Sequence, residues 1–143
     1  MAKKELENKL IAAIRVRGRV NVRESIRNTL ERLNLKRVNN LALIKGTSST
    51  IGMLHKCNDY ITYGEVNKDT LAKLFAKKGI ALDEKSVNDL INGLKSPKEL
   101  GIKMPIRLRP PRHGYESTKK NFTVGGALGY RGDKINELIA RMI

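Results

Sequence analysis

The sequence predicts a small α+β protein in which two helices pack on one face of a three-stranded sheet. Every second residue from Leu10 to Val16 is apolar, and Arg15 and Arg17 fall on the other face, which is the pattern of a β-strand. Two segments with helical spacing and two more strand-like segments follow, so the predicted order is β-α-β-α-β within the first 66 residues. The length of 143 residues suits one small domain with an extension, and the 40% hydrophobic content is enough for a core.

The first strand and helix are defined by their apolar positions. The alternation in residues 10–17 places Arg15 and Arg17 on the solvent side of the strand. Asn21 is the predicted N-cap of the helix that follows, with Glu24 in its first turn. We expect two sets of apolar residues to pack together, namely Leu10, Ala12, Ile14 and Val16 of the strand and Val22, Ile26, Leu30 and Leu33 of the helix.

The rest of the first half completes the predicted core. Residues 41–44 form a second short strand. Residues 46–50 form a turn rich in helix-capping hydroxyls, and a helix runs from this turn to Cys57. Residues 60–63 are rich in β-forming side chains and make the third strand.

The second half has a different pattern. Asn67, Asp83 and Asp133 are the predicted N-caps of three helices, the last of them terminal. Residues 102–109 form an extended segment, which Pro105 restricts to the edge of a sheet. Residues 106–132 contain many cations, five glycines and a Pro-Pro pair, and we interpret them as a basic loop. The predicted organisation is therefore a core at 1–66 with a short charged N-terminal arm, and an extension at 67–143 packed on it.

The charge indicates an anionic partner. The chain has 29 Lys and Arg against 14 Asp and Glu, for a formal net charge of +15. The excess lies at the two ends, with 12 basic against 4 acidic residues in 1–45 and 9 against 3 in 101–143. Nucleic acid is the first candidate and a membrane surface the second, although no basic helix carries the bulky aromatic face that membrane binding needs.

The apolar runs are too short to cross a bilayer, and Cys57, a single cysteine, fits a reducing cytoplasm.

The sequence offers no catalytic constellation. His55 and Cys57 are two residues apart and would not face each other on a helix. One cysteine and two histidines cannot make a Cys/His zinc site. The glycines of residues 125–129 resemble a dinucleotide-binding fingerprint only loosely. We therefore expect no enzyme activity, cofactor, metal or small-molecule substrate.

Three basic surfaces are candidates for contact with RNA. Loops that mix Arg, Gly and aromatic residues suit irregular folded RNA, which is recognised by shape and by unpaired bases. The alternative to RNA contact is that the cations are merely solvated, on a strand face for the first surface and on a mobile loop for the third. The first surface comprises Arg15, Arg17 and Arg19; the second comprises Lys36, Arg37 and Lys45, with Thr47, Ser48 and Ser49 at the next helix start; the third comprises Arg107, Arg109, Arg112, His113, Tyr115, Lys119, Lys120, Tyr130 and Arg131.

Six motifs in order resemble a known family. They lie at residues 16–23, 33–39, 47–54, 59–65, 107–112 and 125–132. The sequence is similar to the large-subunit ribosomal protein family numbered thirty, in its long archaeal form, which is related to the eukaryotic large-subunit ribosomal protein seven. Residues 9–66 resemble the core shared with the short bacterial form. Two positions depart from the pattern, since Ile51 stands where many members have Arg and His113 where many have Gly.

The resemblance, and not the charge pattern, implies the ribosome. It implies a ferredoxin-like β-α-β-α-β core and a structural role in the large subunit of the cytoplasmic ribosome. It also implies contacts with 23S rRNA, 5S rRNA and neighbouring large-subunit proteins. The alternative is a free RNA-binding regulator or RNA chaperone.

Overall fold

The computed structural model of the chain describes residues 9–18, 20–79, 83–92, 106–115 and 117–143. The predicted N-terminal arm, Arg19 and the part of the extended segment before Ile106 lie outside the described residues. The described part has six strands and five α-helices. The strands are β1 (Leu10–Arg15), β2 (Asn40–Lys45), β3 (Ile61–Glu65), β4 (Ile106–Arg107), β5 (Ser117–Asn121) and β6 (Gly126–Tyr130); the helices are α1 (Glu24–Arg32), α2 (Ser48–Lys56), α3 (Lys68–Lys77), α4 (Glu84–Ile91) and α5 (Ile135–Met142).

All six strands join one sheet in the order β4-β2-β1-β3-β6-β5. Strand β1 is antiparallel to both β2 and β3, and β4 is antiparallel to β2. Strand β6 runs parallel to β3, and β5 runs parallel to β6. The α+β class is confirmed, and so is the edge position of the segment that contains Ile106. The prediction of three strands is wrong, because the C-terminal half adds three more.

The segment at 106–132 is not simply a loop, since it contributes β4, β5 and β6. The sequence Gly126-Ala-Leu-Gly-Tyr130 lacks the β-branched residues that usually mark a strand. Its small residues serve close packing, because a Cβ at Gly126 would overlap the backbone of Lys120 in β5. Such a strand is specified by tertiary contact and is therefore hard to recognise from local sequence.

Helices cover both faces of the sheet, which changes the predicted packing of α1. Leu30 and Leu33 lie in one apolar cluster with Ile11 and Ala13, together with buried residues of α2. The opposite face of β1, with Leu10, Ala12 and Ile14, packs among buried residues of α3, α4 and α5. The predicted contact of α1 with that face is therefore wrong. Val16 belongs to neither of these clusters and packs with Ala127 and Leu128 of β6.

Three of the helix starts follow from side-chain capping. The Asn67 and Asp83 side chains accept hydrogen bonds from the backbone N–H groups of Thr70 and Ser86, as predicted for N-caps. Thr47 caps α2 through a reciprocal capping box with Thr50.

The other two predicted caps are wrong. Arg23, not Asn21, precedes α1, and Asn21 itself adopts a left-handed φ of 58° in the turn before it. Helix α5 begins at Ile135 after a 3₁₀ turn, Gly132–Lys134, that contains Asp133. The backbone carbonyl of Asp133, and not its side chain, accepts a hydrogen bond from the Asn136 side chain at 2.9 Å.

Candidate RNA-binding surface

One end of the sheet collects basic residues from three separate parts of the chain. The strand register pairs Ile14 with Leu41, and Asn40 with Arg107, so the end of β1, the start of β2 and the end of β4 meet there. Five exposed side chains lie in these turns and strand ends. We call this set the basic end, and it comprises Arg17, Lys36, Arg37, Arg107 and Arg109.

Arg15 lies inside the protein beneath the basic end, and the predicted solvent position of its side chain is wrong. The residue is 1% exposed. Its guanidinium donates hydrogen bonds to the backbone carbonyls of Leu35 at 2.8 Å and Lys36 at 3.2 Å. It also donates to the carbonyls of Arg17 at 2.9 Å and Gly18 at 3.2 Å. Arg15 therefore ties the turn after β1 to the turn before β2, and both of these turns carry residues of the basic end.

An aromatic ring supports Arg17. The guanidinium carbon lies 5.4 Å from the centre of the Tyr60 ring, which is a cation–π geometry. The backbone N–H groups of Val16 and Arg17 both donate to the Tyr60 carbonyl, at 2.9 and 3.1 Å. Sequence reasoning misses this role of Tyr60 and interprets the residue only as part of a strand. Tyr60 lies in the turn immediately before β3, and an aromatic residue next to a predicted strand was the available signal.

Tyr115 anchors the segment that follows β4. Its ring is half-buried between two apolar clusters, which differs from the exposed stacking platform that we predicted. The hydroxyl donates a hydrogen bond to Asn39 Oδ1 at 2.6 Å, and burial raises the pKa of Tyr115 to about 12. Asn39 in turn donates its backbone N–H to the Arg15 carbonyl and accepts from the N–H of Leu108. Tyr115 and Asn39 therefore help to fix the chain that carries Arg107 and Arg109.

Arg131 is a second internal arginine, and the predicted surface position of its guanidinium is wrong. The residue is 5% exposed. Its guanidinium donates to Thr62 Oγ1 at 2.8 Å and to the Ala127 carbonyl at 3.0 Å, and it lies 4.8 Å from the centre of the Phe122 ring. The neighbouring Tyr130 is half-buried, with its ring 5.7 Å from that of Tyr63. These contacts join β6 to β3.

Four predicted RNA contacts from the third surface are exposed outside the basic end. Arg112 and His113 lie in a turn beside the C-terminus of α5, and His113 has a left-handed φ of 65°. The backbone N–H of Arg112 donates to the Arg141 carbonyl at 3.1 Å. Lys119 and Lys120 lie on β5 at the edge of the sheet, where lysines also discourage pairing with another chain.

The remaining predicted contacts lie at the opposite end of the sheet. Lys45 ends β2, Thr47 is the N-cap of α2, and Ser48 and Ser49 are the first residues of that helix. The Thr47 hydroxyl accepts from the backbone N–H of Thr50 at 3.2 Å, so it serves as a helix cap. Ser48 and Ser49 are exposed. The second predicted surface is thus divided, with Lys36 and Arg37 at one end of the sheet and these residues at the other.

The carboxylates that pair with cations lie away from the basic end. In three ion pairs both partners are described residues. These pairs join Lys9 to Glu65, Lys68 to Glu84 and Lys134 to Glu137. All three lie near the start of β1, the end of β3 or the first turns of α3, α4 and α5. Within the described ranges, no carboxylate forms an ion pair with a residue of the basic end.

The described residues show little sign of other chemistry. No group of three or more His, Cys, Asp or Glu side chains among them could hold a metal ion. No helix in the described part is long and apolar enough to cross a membrane. Cys57 is buried, and burial raises the pKa of its thiol to about 11, which makes it a poor nucleophile. Ile51 is fully buried, so its side chain cannot reach RNA.

Comparison with known proteins gives a consistent result along the chain. A family model described as Ribosomal protein L30p/L7e matches residues 11–61. The large ribosomal subunit protein uL30 of Nanoarchaeum equitans is 47% identical, over 94% of this chain and 99% of its own length. The proteins of that name from Methanosphaera stadtmanae and Thermoplasma acidophilum are 41% and 37% identical, each over 94% of this chain, and the alignments cover 100% and 93% of their own lengths. The chain belongs to the ribosomal protein L30p/L7e family.

Proposed function

We propose that the protein is a structural constituent of the large ribosomal subunit that binds 23S rRNA and contacts 5S rRNA. Members of its family are structural proteins of the cytoplasmic ribosome and not enzymes. The names of its relatives support the large subunit as its place of assembly. The division into a core at 1–66 and an extension at 67–143 is part of the same proposal, and the family match over residues 11–61 supports it.

The observation that carries the proposal is the basic end. It presents five exposed cations, for which no described carboxylate is a partner. Each phosphate that such a cation neutralises releases a condensed counterion, and this release drives binding to a polyanion. Four of the five are arginines, whose planar guanidinium can contact a phosphate through two hydrogen bonds. Arg15 and Asn39 hold the backbone beneath them, so less conformational freedom is lost on binding.

The other exposed cations extend the proposed contact. Lys45 with the exposed Ser48 and Ser49 offers a second phosphate contact at the opposite end of the sheet, where the N-terminus of α2 adds a favourable dipole. Lys119 and Lys120 offer a third on β5. We propose that recognition rests on phosphate positions and RNA shape, because the aromatic rings of Tyr115 and Tyr130 are committed to contacts within the protein.

Gradient sedimentation tests the role. The tagged protein should sediment with large ribosomal subunits and remain bound through a moderate-salt wash. A free regulator or RNA chaperone would instead stay at the top of the gradient.

Paired variants test the surface in a binding assay with 23S rRNA. Reversing two charges at the basic end, as Arg37→Glu with Arg107→Glu, should weaken binding by about tenfold or more. The control reverses Lys85 and Lys134, which are also exposed but lie away from the basic end, and should weaken it by less than about threefold. Equal losses in the two double variants would show that overall charge, and not this surface, determines binding.

A further inference from the structure

A groove between α3 and α5 lies outside the basic end. It has a volume of about 610 Å³. Two exposed alanines, Ala76 of α3 and Ala140 of α5, contribute small side chains from its two sides. Lys73, Lys77, Arg112 and Ile143 complete the lining.

The charged side chains that line the groove are all basic. Lys73 and Lys77 are one helical turn apart on α3, so they lie on the same side of that helix. The Arg112 carbonyl accepts a hydrogen bond from the Arg141 guanidinium at 3.3 Å. This contact fixes the backbone of Arg112 beside α5. No carboxylate among the described residues forms an ion pair with Lys73, Lys77 or Arg112. An occupant of the groove should therefore be acidic.

The rest of the lining favours a protein segment over RNA. Most of the lining is apolar, and Ala76, Ala140 and Ile143 contribute to it together with the aliphatic stems of the basic residues. Unpaired bases bind to proteins largely by stacking on aromatic rings, and no aromatic residue lines this groove, where Arg112 supplies the one guanidinium plane. An RNA backbone would use the cations but would have no apolar side chain to cover the alanines. An apolar centre with a charged rim is the usual composition of a protein–protein interface.

We propose that the α3–α5 groove docks an acidic segment of another protein of the large subunit, through an apolar side chain between Ala76 and Ala140 and carboxylates on Lys73, Lys77 and Arg112. This inference rests on the proposed function for the identity of the assembly. The contact with protein would then lie on the helical face that α3 and α5 provide, apart from the proposed rRNA contact at the basic end.

Carbodiimide crosslinking of purified large subunits that contain the protein tests the inference, because this reagent joins an amine to a touching carboxylate as an amide. Mass spectrometry should find Lys73 or Lys77 joined to Asp or Glu of another protein. The yield should be at least about tenfold above that of Lys85, an exposed lysine on α4 outside the groove. In subunits that carry the Arg112→Glu variant, the yield at Lys77 should fall by about threefold or more.

Other outcomes would overturn the inference. Ultraviolet crosslinks from Lys73, Lys77 or Arg112 to rRNA, without carboxylate crosslinks, would show that the groove contacts RNA. Equal yields at Lys77 and Lys85 would show that nothing docks there. In both cases the protein still sediments with the subunit, so the proposed function would stand. A protein that does not sediment with large subunits would overturn both.

Discussion

Arg15 is the residue on which the basic end most depends. Its buried guanidinium donates to four backbone carbonyls in two turns. Replacing it with Met keeps much of the aliphatic length and removes every donor, so the carbonyls of Leu35 and Lys36 lose their charged partner. We expect Arg15→Met to lower the free energy of unfolding by about 2–4 kcal/mol, because hydrogen bonds from charged groups are the stronger ones. Urea denaturation measures this change.

Arg17 is the matched control, two residues along the chain. It is exposed, and its guanidinium lies over the Tyr60 ring. A cation–π contact at an exposed site contributes about 0.5–1 kcal/mol, so Arg17→Met should destabilise the protein by no more than about 1 kcal/mol. Its main effect should be on RNA binding. If the two variants were equally destabilised, the internal role of Arg15 would be wrong.

The arginines also show what sequence cannot predict for a single residue, namely whether its guanidinium is buried or exposed. In the sequence, Arg15, Arg17 and Arg131 are indistinguishable members of basic stretches. The difference arises because the fold places backbone carbonyls or Thr62 around the guanidinium groups of Arg15 and Arg131. These acceptors come from residues up to 69 positions away in the chain. Composition therefore predicted a basic surface, but it could not tell which cations form that surface and which hold it together.

At the scale of elements, the contact between β3 and the turn before α5 joins the two halves of the chain. Gly64 of β3 is buried, and a Cβ there would overlap the carbonyl oxygen of Gly132. Gly64→Ala should therefore push the Gly132–Lys134 turn away from β3. Overpacking of this kind costs about 1–3 kcal/mol, which thermal or urea unfolding would detect.

Gly52 in α2 provides a control with the opposite expected sign. A Cβ at this exposed helical position would meet no atom within 4 Å. Gly52→Ala should stabilise the protein by about 0.5–1 kcal/mol, because alanine loses less backbone entropy in a helix. A Gly64→Ala variant as stable as Gly52→Ala would show that the turn can move at no cost.

The elements that sequence predicted well are those with a local signal. Asn67 and Asp83 cap α3 and α4 through backbone groups only three residues away, so the cap and its helix are visible together. The packing of β1 has no such signal. Alternation reports burial only when one face of a strand meets water, and α3, α4 and α5 cover the face opposite α1. Apolar residues therefore occupy both faces of β1, and its alternation could not say which face meets α1.

Across the whole molecule, charge is sorted along the strand direction. The five cations of the basic end lie where β1 ends and have no described acidic partner, whereas the three described ion pairs lie near the other end of the sheet. The basic end therefore contributes a positive field at one end of the sheet, because no described carboxylate forms an ion pair with it. A polyanion would therefore be attracted first to the end that carries Arg17, Lys36 and Arg37.

This asymmetry predicts how salt acts on rRNA binding. If each of the five residues of the basic end neutralises one phosphate, together they contribute about −3.5 to −4.5 to the slope of the logarithm of the association constant against the logarithm of salt concentration. These five contacts alone would lower affinity by about 100- to 500-fold between 50 and 200 mM salt. Filter binding to 23S rRNA measures the slope directly. A nearly flat response would exclude phosphate contact as the main source of affinity.

Single neutralising variants then show which residues produce the salt dependence of rRNA binding. Arg37→Gln removes one unpaired cation from the basic end, so the slope should become shallower by about 1. Lys134→Gln removes the same charge, but Lys134 already pairs with Glu137 near the opposite end of the sheet. Its slope should remain that of the unmodified protein, since a cation with a carboxylate partner attracts few additional anions. If Lys134→Gln changed the slope as much as Arg37→Gln, paired and unpaired cations would contribute alike, and the sorting of charge would not determine how the protein binds.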